Sequence, residues 1–127
     1  MAENTLVNID IEGGRALLDQ LAHERFPVRA AAWVHEPEGE DWRLYLVTTI
    51  RNRDLLGTYV QASEAILANE ALKEELKRIS FKIVDSRGSL GKTLIDWAKH
   101  IDRKYRRMSG SSTEGEIVDA VVYGKAA

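Results

Sequence analysis

Two β-rich runs around a short turn constrain this chain more than any other feature of its sequence. Residues 28–35 read VRAAAWVH and residues 42–50 read WRLYLVTTI. Between them lies Glu36-Pro37-Glu38-Gly39-Glu40-Asp41, a stretch of turn chemistry with no apolar residue but proline. Aromatic and branched side chains suit a pleated surface. Two such runs joined by a Pro/Gly turn predict adjacent antiparallel strands. In the second run Trp42, Leu44, Leu46, Thr48 and Ile50 share one face, and Arg43, Tyr45, Val47 and Thr49 the other. The acidic turn with His35 does not match the spacing of a calcium loop, so it reads as a solubilising connection and not a metal site.

The flanking segments supply helices. Residues 6–11 alternate weakly, with Val7, Ile9 and Ile11 on one side, and are expected to form a half-buried strand or a mobile tail. Gly13-Gly14 is then expected to break the chain before a helix over 15–25, whose stripe is Leu17, Leu18, Leu21 and Ala22. Asp54 can cap a long helix running to about Arg78, interrupted near Asn69. Residues 81–85 predict a short strand. Leu94, Ala98, Ile101, Tyr105 and Met108 recur at helical spacing and predict one helix over 90–108. Residues 109–115 read as a flexible loop and 116–123 as a last strand.

The order (β)αββαβαβ predicts an α+β fold. It would have a mainly antiparallel sheet of four to five strands with helices packed on one face, and its first six elements match a ferredoxin-like plan with one helix and one strand added. The 127 residues make one domain, long enough to bury a core without staples. Residues 1–5 are expected to be disordered. No cysteine is present, which excludes disulfides, thiolate catalysis and cysteine-held metals. No signal-like N-terminus and no membrane-length apolar run occur, so the expected location is cytoplasmic, with no membrane partner.

The formal net charge of −2 conceals opposite excesses. Residues 1–76 hold 7 Lys/Arg and 14 Asp/Glu, whereas residues 77–107 hold 10 and 3. Lys92, Lys99, Arg103, Arg106 and Arg107 would form a basic face on the 90–108 helix, able to meet an acidic partner or nucleic-acid phosphates. The plainer account is a solvated helix face, with Asp96–Lys99 and Asp102–Arg106 as intrahelical pairs.

A second candidate is Ser86-Arg87-Gly88-Ser89-Leu90-Gly91-Lys92-Thr93, between a predicted strand and a predicted helix. Gly91, Lys92 and Thr93 resemble the end of the phosphate-binding loop of P-loop proteins. The resemblance covers eight residues. Ser86 stands where that loop has its first glycine, so nucleotide hydrolysis is not expected. Ser86, Arg87, Gly88, Gly91, Lys92 and Thr93 remain a candidate phosphate-binding turn. No Gly-x-Ser-x-Gly elbow or His-Glu-x-x-His motif occurs, and His23, His35 and His100 fall on separate elements. The expected function is therefore a non-enzymatic interaction module, binding a protein partner or itself, with no cofactor. Phosphate, nucleotide or nucleic-acid binding is the alternative. A small hydrolase or transferase assembled in space is the third reading.

Overall fold

The computed structural model describes residues 8–35, 42–50, 55–109 and 119–124. Its elements are α1 (Asn8–His23), β1 (Ala30–His35), β2 (Trp42–Thr48), α2 (Leu55–Leu67), a 3-10 turn (Glu70–Leu72) and α3 (Lys73–Arg78). They are followed by β3 (Phe81–Asp85), α4 (Ser89–Lys99), β4 (Tyr105–Ser109) and β5 (Asp119–Tyr123). The fold is α+β, with five strands in the order β3-β2-β1-β5-β4. Only β2 and β3 are parallel; the other three pairings are antiparallel. The hairpin forms as expected, with Trp33 opposite Leu44 and His35 opposite Trp42.

Helices cover both faces of the sheet, not one. On one face α1, α2 and α3 bury Ala31, Trp33, Leu44, Leu46, Ile83, Val121 and Tyr123. On the other, α4 packs through Leu94 and Ala98, with Ile101 just beyond it, against Ala30, Ala32, Val34, Tyr45, Val47, Ala120 and Val122. The cause is in the strands: β1 is apolar at consecutive positions, so both faces need cover. With the parallel pair and this order, the sheet also departs from a ferredoxin-like plan.

Two further expectations are corrected. The strand over residues 6–11 is not formed, because Asn8 already begins α1. Ile11, Gly14, Leu18 and Leu21 follow one helical stripe, and glycine at a stripe position concealed the period. Gly14 sits in the helix because the chain must approach closely there. A Cβ on it would stand 2.3 Å from the Tyr123 hydroxyl and 3.0 Å from Trp33 Nε1. Under Gly14, Trp33 Nε1 donates to the Tyr123 hydroxyl at 2.9 Å, and that hydroxyl donates to the Ile11 carbonyl. Burial pushes the Tyr123 phenol well above the ordinary tyrosine range, opposed by the Trp33 hydrogen bond and the Arg15 charge. Helix α1 ends with Arg25 at φ 64°, where Phe26 N–H donates to Leu21 O and Arg25 N–H to Ala22 O. This is a Schellman closure, and Pro27 keeps the helix from resuming.

The helix expected over 90–108 is the other correction. It ends at Lys99, and residues 105–109 form edge strand β4. Tyr105 pairs with Tyr123 and Met108 with Ala120. The free edge of β5 claims these residues, and Tyr105 is exposed instead of inward. Ser109, expected in the flexible loop, closes β4, while residues 1–5, the acidic turn 36–41, the Asp54 cap, the loop 110–115 and the start of the expected last strand at 116–118 lie outside the described residues. The break near Asn69 is present: Asn69 caps the 3-10 turn by accepting from Ala71 N–H.

Candidate functional site

Much of the positive charge between Lys77 and Arg107 is already engaged. Arg78 of α3 pairs with Glu75 and with Asp10 of α1, tying two helices together. Lys77 lies 3.7 Å from Glu74, and the Lys82 ammonium 5.3 Å from the Tyr45 ring. Arg87 pairs with Asp85, and Arg107 with Asp119. Hydrogen bonds donated to these carboxylates raise the pKa of Arg78, Arg87 and Arg107 above the ordinary guanidinium value.

Lys92, Lys99, Arg103, Lys104 and Arg106 make no ion pair with another described residue, and all are exposed. They do not share one helix face. Lys92 and Lys99 lie on α4, seven residues apart, and Arg103 and Lys104 lie in the turn after it. Arg106 stands opposite Val122 of β5, whose side chain belongs to the α4 side of the sheet. Strand alternation therefore brings Arg106 to the same side as α4. Arg107 goes to the opposite side, where its guanidinium lies 5.6 Å from the Trp42 ring. The intrahelical pairs differ from expectation: Asp96 faces His100 at 3.9 Å, and Asp102 and Arg106 are not on one helix.

The α1 side has an excess of the opposite sign: Glu12, Asp19, Glu24, Glu64, Glu70 and Glu74 are exposed on α1, α2, α3 or the turns beside them, against the exposed cations Arg25, Lys73, Lys77 and Arg78, with Glu74 beside Lys77. The sheet lies between the two layers, and stacked layers sit about 10 Å apart. Across two such distances, with a Debye length of about 8 Å at physiological salt, the layers do little to neutralise each other.

The turn from Ser86 to Thr93 enters α4 as expected. The Arg87 and Thr93 side chains are engaged locally. The Asp85 carboxylate accepts from the Arg87 backbone N–H at 2.9 Å and from its guanidinium at 2.8 Å and 3.0 Å. Thr93 Oγ1 donates to the Ser89 carbonyl at 3.0 Å. Gly91 is needed for packing, since a Cβ there would stand 2.2 Å from the Asp85 carbonyl oxygen, whereas Gly88 has ordinary clearance. Lys92 is exposed on the first turn of α4.

The three histidines stay apart. His23 and His100 are exposed, and no group of three metal-capable side chains occurs among the described residues. His35 is half-buried, and its Nε2 is buried without a hydrogen-bond partner among the described residues. It stands between Trp42 and Asp119 in one row across β2, β1 and β5, with the Trp42 ring 5.4 Å away. No local sequence signal marked this row, because its members come from strands distant along the chain. The outer surface of α2 leaves Leu56, Val60 and Leu67 exposed. No helix among the described residues is long and apolar enough to cross a membrane. No protein-family model, curated protein or solved structure was found to match the chain.

Proposed function

We propose that this chain is a non-enzymatic binding module that docks an acidic protein surface on its α4 side. The observation that carries the reading is the set Lys92, Lys99, Arg103, Lys104 and Arg106, exposed cations without an ion-pair partner among the described residues. They gather around one helix, the turn after it and one edge strand of an otherwise acidic chain. Exposed unpaired charges add little to folding stability but steer association with a complementary surface. The acidic α1 side of a second copy is one surface of the required sign.

The test is the triple change Lys99→Glu, Arg103→Glu and Arg106→Glu. All three side chains are exposed, so the variant should fold. The parent should show self-association in sedimentation velocity, or retention on immobilised poly-glutamate, at low ionic strength. Either contact should weaken steeply with salt, as the Debye length falls from about 10 Å at 0.1 M to about 3 Å at 1 M. The folded triple variant should show neither. A parent that shows neither at low salt, or a variant indistinguishable from it, refutes the proposal. Stronger retention on double-stranded DNA than on poly-glutamate would replace the protein partner with nucleic acid.

A further inference from the structure

A groove opens where two neighbouring strands part company. Strand β1 pairs with β2 from Ala30 onward, but with β5 only from Ala32. Ala30 and Ala31 are therefore not paired with β5. Beside this gap lies a cavity of about 450 Å³, walled by α1, the α1–β1 connection, the end of β5 and Ala98 of α4. That volume falls in the range that holds small molecules, about 300–1,000 Å³. Four alanines, Ala22, Ala30, Ala31 and Ala98, line it, with Phe26, Val28 and the Tyr123 ring supplying larger apolar surface.

Three charged side chains line this wall, Arg15, Asp19 and Arg29, and of these Arg15 alone is not fully exposed. It is half-buried and fixed from two directions. Its Nη2 donates to the Gly124 carbonyl at 3.1 Å and to the Lys104 carbonyl at 3.3 Å, and its guanidinium lies 5.2 Å from the centre of the Tyr123 ring. Two neutral carbonyls orient the cation without neutralising it. No described carboxylate makes an ion pair with it, although Asp19 stands one helical turn away. The N–H groups on Nε and Nη1 make no hydrogen bond with a described residue. Arg29, exposed, adds a second positive charge to the lining. A pre-oriented, half-dehydrated guanidinium beside apolar surface matches a ligand with an apolar body and one carboxylate.

We infer that this groove is a binding site for a small molecule with a flat apolar body and a single carboxylate. The carboxylate pairs with Arg15, and the body lies against Phe26, Val28 and the Ala30–Ala31 strand. The groove adjoins the proposed docking surface only through the Lys104 backbone carbonyl, and none of Lys99, Arg103 and Arg106 lines it, so the charge reversals that test that surface leave the groove's own side chains in place.

The probes are 2-naphthoate and its uncharged amide, titrated into the full chain and followed by backbone amide chemical shifts. At about 1 mM, 2-naphthoate should shift the amides of Ala22, Phe26, Ala30, Ala31 and Gly124. The amide should bind roughly tenfold or more weakly, the loss expected when one charge-assisted hydrogen-bonded contact is removed. Arg15→Gln should abolish that preference while leaving weak binding of both probes. Ala22→Phe, at an exposed helical position, should fill the groove and abolish both without unfolding the domain. Arg29→Gln should weaken 2-naphthoate less than Arg15→Gln does. No shifts at these amides, equal binding of acid and amide, or unchanged binding in a folded Ala22→Phe variant would each overturn the inference. The triple charge reversal on the α4 side should leave 2-naphthoate binding unchanged.

Discussion

Adding one methyl group at two adjacent glycines of α1 should have opposite effects on stability. Gly→Ala inside a helix is ordinarily favourable by about 1 kcal/mol, because glycine loses more backbone freedom on folding. At Gly13 the new Cβ would meet Glu75 Oε1 at 2.7 Å and Arg78 Nη2 at 3.0 Å, both ends of flexible, partly exposed side chains. These can shift, so Gly13→Ala should range from neutral to about 1 kcal/mol stabilising. At Gly14 the Cβ would stand 2.3 Å from the Tyr123 hydroxyl and 3.0 Å from Trp33 Nε1, both held in the core. Either α1 lifts off the sheet, or the hydroxyl leaves the Ile11 carbonyl and the Trp33 N–H. Overpacking costs about 1–3 kcal/mol, and each stranded buried polar group about 1–3 kcal/mol. After the propensity gain, Gly14→Ala should destabilise by about 1–4 kcal/mol. In a thermal melt, 1 kcal/mol corresponds to roughly 3–5 °C for a domain of this size. Tyr123→Phe removes the hydroxyl that the methyl would strike. Gly14→Ala should therefore cost less in that background, with a coupling of about 1 kcal/mol or more. The reasoning fails if Gly14→Ala is at least as stable as Gly13→Ala, or if the double variant is simply additive.

Two further outcomes follow from the packing. Ile101, buried against the sheet just beyond α4, should cost about 2–5 kcal/mol when changed to Ala, read from urea unfolding midpoints; a cost near zero would show that it does not pack as described. The raised Tyr123 pKa means that, above about pH 10, the unfolded chain loses this proton while the folded chain keeps it. The contribution is complete below that pH, and stability should fall above it by up to about 1.4 kcal/mol per pH unit. The fall should be shallower in Tyr123→Phe, and equal slopes for the two proteins would refute it.

Local pattern determined a large part of this fold. The hairpin, the bounds of β3, the break at Asn69 and the burial of Leu94, Ala98 and Ile101 all follow from period, turn chemistry and caps that act over a few residues. The apolar runs of β1 and β2 also carried the information that both sheet faces are covered, through residues such as Ala31 and Ala32 that are buried on opposite sides. The rest depended on partners far along the chain. Residues 105–108 fit a helical stripe as well as a strand, and the free edge of β5 decided between them. Gly13-Gly14 has the composition of a break, yet Tyr123, more than a hundred residues later, supplies the reason for a glycine inside a helix. The charges were readable as an excess but not as a surface. Strand alternation sends Arg106 to one side and Arg107 to the other, and Asp10 and Asp119 claim cations the sequence left unassigned. The groove beside Arg15 left no mark in the sequence at all, because it arises from two strands that stop pairing two residues apart, and only the assembled sheet fixes where that happens.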